Sequence, residues 1–378
     1  MFKKSRAVAV LIGTTVGAGI FALPYAFSKV GFFIGLLYLI VLGLAVLTIE
    51  ICYAEIVLRT KGEKEMAGYV KTYSGRTGEI LIALSLILGI YAALTAYVIG
   101  VGTYLEAFFE PFLGGNLIFW GLVFWFFGSL VCYFGLGLMS RFELFMSATL
   151  IAVAIFIFTL SLPHLKTENL VVSNFVFNFK NLFYPFGIIL FALGGASAIP
   201  TMKRILKNET AFLKKAVIIG FVVPVVIYTL FAFTVLGVTG GETSEEGIIG
   251  LSSFLGNKVL LIGGVFGALA MSTSFFALSF VLKELLRKDY KIKNFYAWGL
   301  TVFIPLLLFL LGAGFARIIG FSGAVLSGFQ GIILIETYYR AKLKGNREPE
   351  FKFNLPKPVA YLIYLIFILG LIHQICFF

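Results

Sequence analysis

The sequence predicts an all-α integral membrane protein of eleven transmembrane helices, built as two inverted five-helix repeats with one further helix. Three observations carry this. The 378 residues are 60% hydrophobic and 13% charged, with a mean hydropathy of +1.02. Charge this sparse cannot cover the surface of a water-soluble protein of this size. Eleven apolar runs are each long enough to cross the hydrocarbon core, which takes roughly 20 residues. Special residues in the first half of the chain recur at a fixed offset in the second half.

The runs are 7–28, 30–58, 77–108, 116–137, 141–162, 182–206, 211–239, 255–285, 295–313, 316–342 and 357–377. None alternates apolar and polar residues, so strands of a closed barrel are not indicated. The first run contains Gly17-Ala18-Gly19 followed by Pro24, and the sixth contains Gly194-Gly195-Ala196 followed by Pro200. Pro24 and Pro200 stand 176 residues apart, as do Arg141, which opens the fifth run, and Arg317, which opens the tenth. Five runs separate the equivalents, so the second copy enters the membrane from the opposite side. Residues 1–162 form the first repeat, 182–342 the second, and 357–377 the appended helix. Gly and Pro are also common in membrane helices for packing reasons alone.

Charge sets the expected orientation. With the N-terminus cytoplasmic, 25 of the 30 Lys and Arg residues fall in inside segments; Lys29, Lys166, Lys180, Lys258 and Arg317 remain outside. That bias follows the positive-inside rule. It places a multi-pass chain in a cell membrane with its C-terminus on the outer face. The net charge of +12 is therefore a property of the loops, and nucleic acid is not an expected partner. Three cysteines and two histidines give neither a disulfide framework nor metal-ligand spacing. No Walker loop, zinc-protease pair or Gly-x-Ser-x-Gly elbow occurs, so no catalytic residue is assigned and no cofactor is expected.

The paired Gly–Pro clusters are the expected chemistry. Proline lacks an N–H and displaces the carbonyl four residues earlier, which predicts freed carbonyls at Ile20 and Ala196. Such groups need a partner inside the bilayer, and a polar ligand can be that partner. An amino-acid zwitterion fits: its carboxylate on N–H groups near Ala18, Gly19 and Ile20, its ammonium on carbonyls from Phe191 to Gly194. Thr14, Thr15 and Gly17 flank the first contact. Gly195, Ala196 and Ser197 flank the second, where Gly194, Gly195 and Ala196 leave room for a side chain. Phe191 is the expected gate and Tyr97 the expected wall.

Two sites are candidates for a coupling ion, Na+ or H+. Ala270, Thr273 and Ser274 share one helix face in the eighth run. With the carbonyls of Gly13 and Val16 they would form an oxygen cage for a small monovalent cation. The competing reading is that both hydroxyls bond back to their own helix. Glu50 and Glu55 in the second run are the proton-carrier candidates, with Glu50 the deeper. Glu143 and Glu336 lie near the same end of the bundle, and pairing with a loop cation is the competing reading for all four.

The stretch Gly13-Thr14-Thr15-Val16-Gly17-Ala18-Gly19-Ile20-Phe21-Ala22-Leu23-Pro24 resembles the first helix of the tryptophan/tyrosine permease family, within the amino acid–polyamine–organocation superfamily. The likeness continues in Leu94-Thr95-Ala96-Tyr97, Gly100, Arg141-Phe142, Leu162-Pro163-His164, Ser197, Pro200, Pro224, and Ala270, Thr273 and Ser274. Glu55 matches a family glutamate. The resemblance implies a leucine-transporter-type fold with broken first and sixth helices. It also implies proton-driven amino-acid uptake by rocking between inward- and outward-open states, with the carboxylate at Ala18 and Gly19. In sodium-coupled relatives of the fold, positions like Gly13, Val16, Ala270, Thr273 and Ser274 ligate sodium. The chain departs from aromatic-type members at Gly195-Ala196, where they tend to carry Phe-His. The expected cargo is a neutral amino acid, aromatic or large and hydrophobic. The alternatives are a sodium-coupled carrier of small neutral amino acids and a non-transporting amino-acid sensor.

Overall fold

A computed structural model describes residues 2–134, 149, 152–171, 179–256, 259–288, 290–312 and 314–377. Among the described residues the regular structure is helical, without strands. The helices are α1 (Phe2–Thr15), α2 (Gly19–Ser28), α3 (Phe32–Arg59), α4 (Met66–Leu113) and α5 (Leu117–Phe134). They continue with α6 (Ala152–His164), α7 (Phe179–Ala192), α8 (Ile199–Leu206), α9 (Leu213–Thr239) and α10 (Ile248–Leu255). The last five are α11 (Val265–Lys288), α12 (Asn294–Leu310), α13 (Phe315–Gly323), α14 (Gln330–Lys344) and α15 (Lys357–Phe377).

Among the described residues, seven helical stretches are long and apolar enough to cross a membrane, and eight if the bent pair α1 and α2 is one span. Two of the predicted runs, 182–206 and 211–239, fall within one such stretch, Asn181–Glu242. Ala152–His164 and Asn294–Leu310 are shorter apolar helices. Arg141, Phe142 and Glu143 lie outside the described residues. Large apolar side chains such as Leu44, Val226 and Leu307 are about 60% exposed, as expected where lipid is the solvent.

α1 bends into α2 by 52°. α1 packs against α8 and α9, whereas α2 packs against α7 and α9. The first half of one interrupted helix therefore meets the second half of the other, and the two run antiparallel. α3 backs them, touching α7, α8, α9 and α14. α4 forms the opposite wall, against α5, α11, α12, α13 and α14. The tenth run, expected to be continuous, opens into a π-turn at Ala324–Phe329 between α13 and α14. Wider turns of this kind release carbonyls to side-chain partners: the Ser85 hydroxyl donates to the Val325 carbonyl at 3.0 Å.

Loops expected to share one face of the membrane do meet at one end of the bundle. Lys203 Nζ donates to the Val57 carbonyl at 2.8 Å, and Arg347 Nη1 to the Leu58 carbonyl at 3.2 Å. Lys61 N donates to Asn346 Oδ1 at 2.8 Å, and Arg204 pairs with Glu65 at 2.8 Å. The cysteines divide: Cys52 and Cys132 are buried, and Cys376 is exposed on α15. Lys283 is only 3% exposed, and its ammonium caps the carbonyls of Cys132 and Tyr133 near the C-terminus of α5, where cations are favoured.

Candidate functional site: two helix breaks in contact

The first break covers Val16–Ala18, between α1 and α2. Glycines at 13, 17 and 19 weaken helix propensity there. Val16 N still closes onto the Ile12 carbonyl at 2.8 Å. The N–H groups of Gly17 and Ala18 have no backbone acceptor among the described residues, and Ile20 N reaches the Gly17 carbonyl only at 3.4 Å. The N-terminus of α2 thus offers free donors where a helix favours an anion. The break precedes Pro24 rather than resulting from it. Pro24 lies inside α2, and so does Ile20, whose carbonyl has no i+4 donor because Pro24 carries no N–H. The glycines, not the proline, end the first half-helix.

The second break covers Leu193–Gly195, after which a 3-10 turn, Ala196–Ala198, leads into α8. Here too the expected cause is corrected. Pro200 occupies the first turn of α8, where the missing N–H costs nothing. The Ala196 carbonyl, expected to be free, accepts from Ile199 N. Within the expected ammonium site, the Phe191 carbonyl accepts from Gly194 N at 3.1 Å and the Ala192 carbonyl from Tyr228 at 2.8 Å. The carbonyls of Leu193 and Gly194 have no hydrogen-bond partner among the described residues.

The two breaks touch. A Cβ on Gly19 would lie 2.6 Å from Ala192 Cα, so the start of α2 rests on the backbone at the end of α7. A Cβ on Gly195 would lie 2.5 Å from Thr15 Oγ1 and 3.0 Å from Glu50 Oε1. Tyr228, on α9, ties the pair together: its hydroxyl stands 2.7 Å from the Thr15 carbonyl and 2.8 Å from the Ala192 carbonyl. One phenol thus serves the carbonyl at the end of each half-helix. Ser327, on the π-turn, donates to the Leu190 carbonyl at 2.9 Å. Sequence reasoning missed both residues. Their signal was a lone hydroxyl inside an apolar run, which is too common to single out.

Other expected residues fall on a second side of the first break. A Cβ on Gly17 would stand 3.6 Å from Ser274 Oγ and 3.9 Å from Tyr97 Oη, so both hydroxyls lie against this side of the break. Gly13, Thr14, Gly17, Thr273 and Ser274 are partly exposed, while Thr15, Ala18 and Ile20 are buried. The Thr14 hydroxyl turns back to the Val10 carbonyl at 2.8 Å. Phe191 is half-buried, as is Ala196, and Ser197 is exposed. Both α11 hydroxyls bond back to one carbonyl, Thr273 to Ala270 at 2.9 Å and Ser274 to Ala270 at 3.0 Å. The carbonyls of Gly13 and Val16 accept no backbone bond outside helix α1. The set is all oxygen, suited to a hard monovalent cation, with its hydroxyl hydrogens already placed on Ala270.

Beyond the first break, Phe21 stacks edge-on against Tyr104 at 5.9 Å and Phe231 at 6.0 Å. A cavity of about 10 Å³, room for one water, lies among Ile20, Phe21, Phe231 and Phe266.

The acidic candidates separate. Glu55 is fully buried but satisfied: Oε1 pairs with Arg59 at 2.7 Å and Oε2 accepts from Phe353 N at 2.6 Å. Glu336 pairs with Arg340 on an exposed face. Glu50 has no side-chain partner on either oxygen. A further acid escaped notice in the loop before α10. Burial pushes the Glu246 carboxyl up to about 7, with Glu245 adding repulsion. Its folded form therefore holds the proton more tightly than the unfolded chain does. Stability conferred at low pH is lost as pH rises from the ordinary carboxylate range through about 7. The melting temperature of the purified protein should fall over that window, by an amount corresponding to about 1–3 kcal/mol. Glu246→Gln should flatten the profile; an unchanged profile would remove Glu246 as its source.

Interrupted apolar helices that meet in a membrane bundle and present unpaired backbone groups are an architecture of transport proteins. The chain belongs to the tryptophan/tyrosine permease family, whose model matches residues 3–376. It is therefore a permease-type membrane protein, not an enzyme. It is similar to tyrosine-specific transport system 1 of Haemophilus influenzae, 23% identical over 365 residues, covering 90% of this chain and 89% of that protein. Tyrosine-specific transport system 2 of the same organism is 24% identical over 369 residues, covering 90% and 88%. Glutamine transporter 2 of Aliivibrio fischeri is 23% identical over 343 residues, covering 86% of each.

Proposed function

We propose that the chain is a cation-coupled symporter of a neutral amino acid with an aromatic or large hydrophobic side chain, working by alternating access. The observation that carries this is the contact between the two breaks. Donors at Gly17 and Ala18 face one way from it, and acceptors at Leu193 and Gly194 belong to the other half. A zwitterion satisfies both sets at once, without a charged side chain. The aromatic group of Phe21, Tyr104 and Phe231 beside the first break favours an apolar cargo side chain. The eleven spans, the inverted repeat and the cytoplasmic N-terminus belong to the same reading. The antiparallel packing of α1–α2 on α7–α8 and the gathering of basic loops at one end support them.

A second reading, a carrier of smaller or polar neutral amino acids, draws on the lack of bulk at Gly195-Ala196 and on the glutamine transporter among the relatives. Uptake into proteoliposomes separates the two. Labelled tryptophan, tyrosine, leucine, glutamine and alanine are offered under proton and sodium gradients imposed separately. Gradient-driven accumulation of tyrosine or tryptophan is expected, with glutamine and alanine far behind. Accumulation of none under either gradient would leave a sensor. The sodium cage has its own arm. Because Thr273 and Ser274 already bond to Ala270, Thr273→Ala should change uptake less than about threefold and leave its ion dependence intact. Sodium-driven uptake that vanishes in Thr273→Ala would establish the cage instead.

A further inference from the structure

Glu50 is 1% exposed, sits about two-thirds of the way along α3, and neither carboxyl oxygen has a side-chain partner. The Thr15 hydroxyl beside it is also buried and without a partner. Gly195 lies between them, within 3.0 Å of both side chains by its absent Cβ. The carboxyl therefore borders the end of α1 and the second break together, on the side of the junction away from the partly exposed face of Gly13, Thr14 and Gly17.

No cation answers it among the described residues of the helices packed on α3. On α8, Lys203 is engaged with the carbonyls of Val57 and Thr60, and Arg204 with Glu65. On α9, Lys214 lies over the rings of Phe351 and Phe353, and Tyr228 is held by Thr15 and Ala192. On α14, Arg340 holds Glu336, and Lys342 lies over the Tyr338 ring. On α7 and α2, Tyr184 and Tyr25 pack on each other. On α3 itself, Arg59 is taken by Glu55, and the Tyr53 hydroxyl is buried beside Tyr69. An ionised carboxylate taken from water with no counter-charge, and with only the Gly195 N–H as a near donor, costs several kcal/mol. The neutral acid costs far less and has a hydroxyl to offer Thr15 Oγ1.

We infer that Glu50 carries the coupling proton: it holds the proton while the two breaks are closed together and gives it to water when they part. This rests on the symport reading above and adds to it the group that makes the ion a proton. Separation of α1 from Gly195 admits water to the carboxyl, and hydration is what permits ionisation. The proton leaves as –COOH becomes –COO⁻, and re-closure requires one to return. Glu55, satisfied by Arg59 and Phe353, has no such freedom.

The test uses full-length protein in proteoliposomes, with labelled tyrosine or, if the wild type prefers it, labelled tryptophan. In Glu50→Gln, accumulation under an inward proton gradient should fall at least tenfold. Counterflow, exchange of labelled for unlabelled substrate with no gradient, should stay within about threefold of wild type. Glu50→Asp should restore gradient-driven accumulation. Glu50→Gln protein that still concentrates substrate on a proton gradient overturns the assignment and leaves symport standing. A wild type that responds to neither gradient overturns the symport reading itself. A wild type driven by sodium alone overturns proton carriage. Should Glu50→Gln fail to fold, Glu50→Asp decides: with its shorter carboxyl, its counterflow must follow a pH profile shifted from that of the wild type, and an unshifted profile counts against Glu50.

Discussion

Gly19→Val is expected to abolish substrate binding and transport. The first added atom would already lie 2.6 Å from Ala192 Cα and 2.7 Å from Ala192 Cβ. Those atoms are fixed by the end of α7, so the obstacle is backbone and cannot rotate aside. The start of α2 must lift away from the second break, and the two halves of the site separate. Overpacking of this kind costs about 1–3 kcal/mol even where neighbours relax. Here the displaced element is the one that carries the donors. Binding of labelled tyrosine to purified protein should drop at least 100-fold while the protein remains monodisperse. Gly17→Ala is the companion measurement. Its added methyl would meet Ser274 at 3.6 Å, an ordinary contact, so folding should be untouched. If the carboxylate lies on the Gly17 and Ala18 N–H groups, affinity should still fall by about tenfold, since a misplaced or lost charge-assisted hydrogen bond is worth about 1.5–3 kcal/mol. Unchanged affinity in both variants would remove the anion from the α2 N-terminus.

Tyr228→Phe is expected to lower transport at least tenfold with little effect on yield. Its hydroxyl shares its one proton between two buried carbonyls, Thr15 and Ala192, each at the end of a half-helix. Leaving a buried acceptor unsatisfied costs about 1–3 kcal/mol. The cost falls only on the conformation in which both carbonyls converge. The variant should therefore shift the population away from the closed junction rather than unfold the bundle. A reporter cysteine at Gly17 or Ser197 in a background without Cys52, Cys132 and Cys376 would be read by its alkylation rate. Tyr228→Phe should raise that rate several-fold. Wild-type uptake and alkylation would show that the phenol is only packing.

The apolar runs, the basic loops and the two glycine clusters were legible in the sequence because each is a local property. Membrane solvent demands some twenty apolar residues in a row, and the clusters Gly17-Ala18-Gly19 and Gly194-Gly195-Ala196 could not hold a continuous helix cheaply. Even the cause of a break is partly non-local. Proline chemistry predicted freed carbonyls at Ile20 and Ala196, whereas the chain opens just before them, at Val16–Ala18 and Leu193–Gly195, with Pro24 and Pro200 inside the helices that follow. The same limit applied to the acids. Glu50 and Glu55 are alike in sequence, five residues apart on one helix, and only their neighbours tell them apart. Arg59 and the backbone of Phe353 satisfy Glu55, while Glu50 is crowded by Thr15 and Gly195, with the Gly195 N–H as its near donor and no cation to pair with.

By itself, then, the sequence determined the class of environment, the helical content and where the helices were weak, since these follow from hydrophobic length and backbone propensity. The tertiary structure decided which weak points meet, that Tyr228 pins both, and that Glu50 is left without a cation. Those facts depend on contacts between residues up to some two hundred positions apart, and a hydroxyl or a carboxyl gains its role only from what the folded chain brings within three ångströms of it.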